Sequence, residues 1–591
     1  MLEFIVVHLC SAIMEGTVAK KPRVWNPALD TDVVKDKIAA EPHQSANASI
    51  DFARAPNPAI PLLIQNYFHL ARVQQQRVVE EAMRRGLMQP FPLPTMPPMS
   101  SRHPTVSGML PPSHAMGGFR MYRLIYIFLL ISTARSLNIV IYLSLVGKSH
   151  VDFTSALINS LVDRGHEVDL LIARQNTLVT SNGTHKASKV STFSFPGQSP
   201  WIDVEHLKTP FDLQRRKPQM FLEYVRIASQ LCRYGLASGE PASFLRRKKY
   251  DIGITSDYDF CGYILFHQAG INTVASFTAT NLLSHQAFSL GLPSPASCVT
   301  GNFDLSSGSH RPGIFERATR LLKAMRFVFV ERPEYEELGD ALIREFFGKG
   351  FPTIGELLHN SDLVFVNTDE IIEKPRPLSH KVKYIGGIAL SEPKPLTKDM
   401  RNLLGNYTKN VVFSFGTQVP TENIPLHIRK MFVEAFAHFP NVNFLWAYKS
   451  QGDEGNMFAT VPNVKLVEWL PQTDLLNDPQ VVGFISHMGL NSFLEASRAG
   501  VPIIAIPLFA DQTHNAHIGA YRGTTIVVKP QLLSSDNLKN ALKKLLNEKS
   551  YMENAKQLSL MMRTKPENGR DQFVQWIEFA AANKNLHRVS A

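Results

Sequence analysis

Cysteine is scarce in this sequence, and dense blocks of basic residues are missing. Its 591 residues contain four cysteines, none in a Cys-x-x-Cys pair, at positions Cys10, Cys232, Cys261 and Cys298. We therefore predict neither a zinc site nor a disulfide framework. The formal net charge is +11, but the first 136 residues alone carry 14 Lys and Arg against 9 Asp and Glu. The rest of the chain is only mildly basic, so we expect no nucleic-acid partner.

Long apolar runs are also few, and the clearest targeting signal lies inside the chain. Met121–Arg123 gives a basic start, Leu124–Ile131 an apolar run, and Ala134 and Ser136 the small residues that a signal peptidase reads. Residues 121–136 therefore have the pattern of a signal peptide-like segment cleaved after Ser136. Because 120 residues precede it, either synthesis starts at Met121, which we favour, or the run is a membrane anchor.

Residues 1–120 hold 14 of the 38 prolines in a fifth of the length. This composition is typical of a disordered or unrelated Pro-rich extension, and only Ile64–Arg85 has a helical pattern within it. Further along, Asn182 and Asn406 each begin an Asn-x-Thr tripeptide, which is a glycosylation acceptor in a lumenal glycoprotein.

The remainder of the chain is too long for one hydrophobic core, which stops growing near ~250–300 residues. After Leu137 a strand, a short loop, a helix and a second strand form a βαβ unit, with His150 at the carboxyl end of the first strand. Strand and helix alternate again after a Pro-containing linker. We predict an α/β fold of two doubly wound, Rossmann-like domains facing a cleft, divided into residues 137–390, a linker over 391–400, residues 401–565 and a C-terminal helical segment over 566–591.

A cluster of motifs in the second half is more specific than this alternation. It comprises Val467–Leu476, Phe484–Glu495, Gly500–Pro502 and Pro507–Gln512. These segments resemble the signature of the UDP-glycosyltransferases, especially the animal UDP-glucuronosyltransferase branch. The resemblance implies a GT-B type fold, in which residues 137–390 bind the acceptor and residues 401–565 bind the UDP-sugar. Met488 departs from the family, which usually has a small residue there.

The same segments have a physical reading of their own. A strand that ends at Ser486 leads into a turn and then a helix, and the free N–H groups of a helix N-terminus bind anions. Carried over by position, the resemblance implies that Trp469 stacks on uracil, Gln472 reads the nucleotide and Glu495 binds the ribose. It further implies that the diphosphate is held by His487, Gly489, Asn491 and Ser492. The transferred sugar would be bound by Asp511 and Gln512. A second phosphate-side loop would be formed by Ser414, Gly416 and Thr417.

His150 matches the place where the family keeps its catalytic histidine. An ordinary imidazole pKa of ~6.5 suits the removal of a proton from an acceptor hydroxyl near neutral pH. A carboxylate should orient this imidazole, and the family places it in a loop before a Cys-Gly pair. The family position falls nearest Ser256, so we expect the neighbouring Asp259 to be the partner, with Asp257 as the alternative.

The predicted reaction is an inverting transfer of a hexosyl group from a UDP-sugar, with no cofactor and no metal site. UDP-glucuronate and UDP-glucose remain open as donors. The acceptor is expected to be a small lipophilic molecule, and Thr192–Leu245 is expected to line the acceptor side of the cleft. The alternative is a non-catalytic UDP-sugar-binding protein. A nicotinamide-dependent oxidoreductase is disfavoured, because the loop Gly147–His150 lacks the Gly-x-Gly-x-x-Gly pattern.

The resemblance also bears on location. Family members of this branch continue past a segment like Trp576–Phe579 into a C-terminal membrane helix, and that anchor is absent from this chain, which ends at Ala591. We expect the endoplasmic reticulum lumen or membrane, with membrane association of the full-length family form. Homo-oligomer formation is left open.

Overall fold

The computed structural model describes residues 136–203, 210–212, 220–282, 284–292, 313–417, 419 and 424–589. The Pro-rich extension, the helix expected within it, and the signal peptide-like segment apart from Ser136 lie outside these residues, as do Cys10 and Cys298. No helix in the described ranges is both long and apolar enough to cross a bilayer.

The described part of the first half contains a parallel sheet of seven strands in the order β3-β2-β1-β4-β5-β6-β7. These strands are β1 Asn138–Leu145, β2 Glu167–Arg174, β3 Lys189–Ser194, β4 Ile252–Ser256, β5 Val274–Thr278, β6 Leu363–Val366 and β7 Val382–Tyr384. The helices between and around them are α1 Lys148–Asp163, α2 Met220–Ser238, α3 Glu240–Leu245, α4 Cys261–Gln268, α5 Ser284–Ser289, α6 Ile314–Arg326, α7 Arg332–Phe346 and α8 Ile354–His359. A π-helical turn, Phe327–Glu331, joins α6 to α7.

The second half contains a parallel sheet of six strands in the order β10-β9-β8-β11-β12-β13. They are β8 Asn410–Ser414, β9 Asn443–Ala447, β10 Val464–Val467, β11 Val481–Ser486, β12 Ile503–Ala505 and β13 Thr525–Val527. Its helices are α9 Lys398–Leu404, α10 Leu426–Ala437, α11 Gln472–Leu476, α12 Leu490–Ala499, α13 Gln512–Tyr521, α14 Ser535–Asn547 and α15 Lys549–Thr564, and the last long helix of the chain is α16 Gly569–Ala582.

Strand β1 explains why helices cover both faces of the first sheet. Seven of its eight residues are buried, as expected for a parallel strand with no solvent-facing side. Ile139 and Ile141 pack in a core with α1 and α16, while Val140 and Tyr142 point the other way, into a core with α2 and α4. The two cores confirm the doubly wound fold predicted from the sequence.

The C-terminal segment returns to the first domain. Phe573 and Ile577 of α16 are fully buried in the core formed by β1 and α1, and the Phe573 ring lies 4.8 Å from that of Phe365 in β6. The segment predicted as a terminal helix is therefore also a packing element of the first sheet. Its apolar face stabilises that sheet by removing hydrophobic area from water.

The prediction of no disulfide was wrong for one pair. Cys232 in α2 and Cys261 at the start of α4 form a disulfide, and both residues are buried. The two helices approach each other because they cover the same face of the first sheet, and α4 lies close against it. A Cβ on Gly262 would lie 2.7 Å from the Tyr142 ring, so this approach requires glycine. Spacing of 29 residues along the chain carries no signal for such a pair.

Candidate active site

A cavity of about 830 Å³ lies between the carboxyl ends of the two sheets. The first domain contributes the loop after β1, the residue after β2, the loop after β4 and the aromatic pair Trp201 and Tyr224. The second domain contributes the loop after β8, the segment after β10, the turn after β11 and the start of α13. Ligands of open α/β sheets bind at this edge, so the cavity is the candidate site.

The turn after β11 presents the N-terminus of α12 to the cavity. Gly489 is the residue before the helix, and Met488 has a left-handed backbone with φ of +67°. The Met488 N–H donates to Ser486 Oγ (3.1 Å), and its carbonyl accepts from Asn515 Nδ2 (2.9 Å). These two bonds hold a conformation that is costly for a non-glycine residue. Met488 is fully buried, so the departure from the family is accommodated in the core.

The imidazole of His487 lies between two glycines. A Cβ built on Gly489 would come within 2.6 Å of His487 Nε2, and one built on Gly416 within 2.7 Å of Cε1. Gly416 has a φ of +71°, and its N–H donates to Ser414 Oγ (3.1 Å), which fixes the loop after β8 against the ring. Burial lowers the pKa of His487 to about 4, so the ring is neutral at pH 7 and carries a single N–H.

The predicted nucleotide residues form one network at the start of α11 and α12. Gln472 Nε2 donates to Ser492 Oγ (3.2 Å) and to Glu495 Oε2, and Thr473 Oγ1 donates to Glu495 Oε1 (3.3 Å). Burial raises the pKa of Glu495. The indole of Trp469, in contrast, is 67% exposed and lines the same cavity. An exposed aromatic surface of this kind is available for stacking.

Asn491 links this network to the first domain. Its Oδ1 accepts from Asn367 Nδ2, which follows β6 (3.3 Å). The contact joins the N-terminus of α12 in the second domain to the segment that follows β6 in the first domain.

Asp511 and Gln512 stand at the start of α13, on the same wall of the cavity. Gln512 Oε1 accepts from the Leu508 N–H (2.7 Å) and the Phe509 N–H (3.1 Å), which leaves the amide NH₂ as its outward donor. Asp511 Oδ2 accepts from Asn515 Nδ2 (2.8 Å), and burial raises the pKa of Asp511. Thr417, the last residue of the predicted phosphate-side loop, is exposed and also lines the cavity.

His150 occupies the first turn of α1, facing the cavity from the opposite side. Its Nδ1 lies 3.4 Å from Ser149 Oγ, while its Nε2 is buried without a hydrogen-bond partner among the described residues. The ring packs edge-to-face on Tyr258, with centroids 4.5 Å apart. Burial lowers the pKa of His150 to about 4, so the imidazole is neutral and able to accept a proton at pH 7.

The expected hydrogen bond between a carboxylate and His150 is not present among the described residues. Asp259 Oδ1 accepts from the Cys261 N–H (2.8 Å), and its Oδ2 accepts from Tyr142 (3.2 Å), so the side chain binds the start of α4. Asp257 accepts from Tyr263 (2.6 Å). Burial raises the pKa of Asp259 to about 6 and that of Asp257 to about 7.

Ser256, at the family position, accepts from the Ser144 N–H (3.0 Å) and also has no bond to His150 in the described chain. The side chains of Asp257 and Asp259 are directed into the domain, and Tyr258 between them faces the cavity. Asp257 and Tyr258 form a turn after β4, so no periodic pattern in the sequence identifies Tyr258 as the neighbour of His150.

The expected acceptor side contains two stacked aromatic residues. Trp201 and Tyr224 lie with ring centroids 4.9 Å apart and 22° between their planes, and both line the cavity. They fall within the predicted range Thr192–Leu245. Gln175, just after β2, lines the same end of the cavity and was not predicted.

Comparison with known proteins points to one family. Residues 141–589 match the family described as "UDP-glucoronosyl and UDP-glucosyl transferase". The chain is 28% identical over 482 residues to UDP-glucosyltransferase 2 of Dactylopius coccus, covering 80% of this chain and 89% of that protein. It is also 28% identical to UDP-glucuronosyltransferase 2B14 of Oryctolagus cuniculus, covering 74% and 82%.

Solved structures share the fold. Phytolacca americana UGT2, complexed with UDP-2fluoro-glucose and pterostilbene, aligns with a TM-score of 0.51 at 19% identity, over 76% of this chain and all of that one. LpCGTa in complex with UDP aligns with a TM-score of 0.52 at 14% identity, over 76% and 99%. Both likenesses support the two-domain α/β architecture.

Proposed function

Because the chain belongs to the UDP-glucuronosyl and UDP-glucosyl transferase family and is a glycosyltransferase that uses a UDP-sugar, we propose that its cavity catalyses an inverting, metal-independent transfer. The transferred group is a hexosyl unit, glucuronic acid or glucose, and the acceptor is a small lipophilic molecule. The observation that carries the proposal is one cavity that holds His150 from the first sheet and the anion-binding turn at Gly489 from the second.

The donor binds along the second domain. Trp469 stacks on the uracil, Gln472 and Glu495 read the base and ribose, and the N–H groups at the start of α12 hold the diphosphate. The Glu495 carboxylate already accepts hydrogen bonds from Gln472 and Thr473. The ribose hydroxyls therefore donate to a carboxylate whose position is fixed by other hydrogen bonds. Asp511 and the free amide NH₂ of Gln512 bind sugar hydroxyls.

His150 acts as the general base. The neutral imidazole takes the proton of the acceptor hydroxyl as that oxygen attacks the anomeric carbon. The bond from the anomeric carbon to the UDP oxygen breaks on the opposite face, and its electron pair leaves with UDP. His487 and the α12 N–H groups stabilise the charge that develops on the leaving phosphate. Attack and departure on opposite faces invert the anomeric centre.

One observation favours the alternative, a non-catalytic UDP-sugar-binding protein. Within the described residues no carboxylate bonds to His150, so nothing negative stabilises its imidazolium directly. The neighbour of the imidazole is instead the uncharged ring of Tyr258, 4.5 Å away between centroids.

The test is UDP release and glycoside formation with a panel of phenolic acceptors. His150→Ala should lower kcat by roughly 10²–10⁴-fold, the usual contribution of a general base, with UDP affinity retained. His185→Ala, at an exposed position of the same domain, is the matched control and should behave as wild type. UDP binding without release in wild type and both variants would favour the binding protein. Activity that disappears with EDTA and returns with Mn²⁺ would contradict metal independence.

Location in the endoplasmic reticulum lumen or at its membrane is supported by the disulfide Cys232–Cys261, because disulfides persist in oxidising compartments. Asn182 and Asn406 are exposed, as glycosylation acceptors must be. A mobility shift on treatment with an N-glycosidase, lost in Asn182→Gln and Asn406→Gln together, would test lumenal entry. An unshifted protein from secretory expression would contradict it.

A further inference from the structure

The acceptor end of the cavity contains a hydrogen-bond donor with no partner. Trp201 is 5% exposed, and its indole Nε1 is buried without a hydrogen-bond partner in the part of the chain that the structure describes. A buried donor without a partner destabilises the protein, because it has lost its hydrogen bond to water. The cost is removed when a ligand atom accepts the bond.

The position of this donor is fixed by its neighbours. The Trp201 backbone N–H donates to Ser199 Oγ (3.2 Å), and the Ser199 hydroxyl donates to the Gln175 carbonyl. The indole stacks on Tyr224, so its plane is held as well. Val146, which follows β1, packs against Trp201, and this places the indole beside the loop that carries His150.

Gln175 adds a complementary group. Its Nε2 donates to Ser144 Oγ (2.5 Å) and Asp259 Oδ2 (3.4 Å), and the carboxylate identifies that atom as nitrogen. Its Oε1 therefore remains as an acceptor, and it is buried and unpartnered in the described chain. Trp201, Tyr224 and Gln175 thus line one end of the cavity, and one unpartnered N–H and one unpartnered carbonyl oxygen are buried among them.

We infer that this end of the cavity selects planar aromatic acceptors that carry, besides the reacting hydroxyl, a second oxygen that accepts from the Trp201 indole N–H. A ring carbonyl substituent has this chemistry, and an alkyl group of the same size does not. The Gln175 oxygen accepts from a further hydroxyl where the acceptor has one. The inference rests on the proposed function, because it names the acceptor class of the same site.

The experiment compares the three hydroxyacetophenones with the three ethylphenols, matched pairs that differ in the carbonyl. For the best-placed isomer, wild type should prefer the carbonyl compound in kcat/KM by about tenfold, since a site that hydrogen-bonds its substrate rejects the analogue lacking the group. Trp201→Phe keeps an aromatic ring against Tyr224 but removes the N–H, and should bring the ratio close to one. Trp576→Phe, on α16, is the control and should keep the wild-type ratio.

A ratio near one in wild type for all three isomers, or an unchanged ratio in Trp201→Phe, overturns the inference. A melting temperature of Trp201→Phe equal to that of wild type reports on its folding, and its UDP affinity should be unchanged because the donor site lies in the other domain. If wild type forms no glycoside, the proposed function fails, and acceptor Kd values for the UDP complex still decide the inference by the same comparison. Equal Kd values for carbonyl and ethyl compounds would then overturn it too.

Discussion

Replacing Gly489 by alanine should weaken UDP binding through the position of His487. Gly489 has φ of −56° and ψ of 142°, which alanine adopts without strain, so the effect is steric. The new Cβ would lie 2.6 Å from His487 Nε2. Relief requires a shift of about 1 Å to reach ordinary contact, and Gly416 closes the opposite side of the ring. Overpacking of this kind costs roughly 1–3 kcal/mol, which is about 5- to 150-fold in Kd if it falls on the bound state.

Isothermal titration calorimetry with UDP measures this change directly. Gly350→Ala is the matched control, because a Cβ there meets nothing within 4 Å and its backbone is not left-handed. In a His487→Ala background the clash is absent, so Gly489→Ala should then have little further effect. Equal UDP affinity in Gly489→Ala and wild type, or an equal loss with and without His487, would refute this account of the turn.

Three further predictions concern the base, the nucleotide and a buried carboxyl. Because burial lowers the His150 pKa to about 4, kcat/KM should hold its plateau down to about pH 5, and an acid limb centred near 6.5 would contradict this. Trp469→Ala should raise the Kd of UDP by roughly 5- to 150-fold while Trp469→Phe retains most affinity; equal losses would exclude stacking. Burial raises the Asp257 pKa from 3.8 to about 7, so the folded state holds a proton that the unfolded state releases, and wild type loses stability as pH rises through that window. Asp257→Asn should therefore gain up to about 4 kcal/mol over wild type between pH 4 and 8 in urea unfolding, and a constant difference would refute the buried charge.

Much of the fold follows from local patterns. The strand, short loop and helix predicted after Leu137 are present as β1 and α1, because adjacent stretches of sequence encode a parallel strand and its crossover helix. The helix expected after the turn at Ser486 is α12, Leu490–Ala499. These elements suffice to place the turn after β11 and the loop after β1 at the same edge of their sheets.

The errors arose where distant segments meet. The Cys232–Cys261 bond depends on two helices that cover one face of the sheet, and α16 finds its place on the first sheet only through three-dimensional packing. Asp259 makes no hydrogen bond to His150 in the described chain, because its carboxylate accepts from the first N–H of α4 and from the distant Tyr142 hydroxyl; its catalytic role stays a prediction. Tyr258 became the neighbour of His150 instead.

The most direct test of the account is the product itself. Purified protein is incubated with UDP-glucose or UDP-glucuronate and a hydroxyacetophenone, the glycoside is detected by mass spectrometry, and its anomeric configuration is read by NMR. We predict a product one hexosyl unit heavier than the acceptor, with the β configuration that inversion of the α-linked donor requires. A folded protein that binds UDP but forms no glycoside, or one that forms the α-glycoside, would contradict the account.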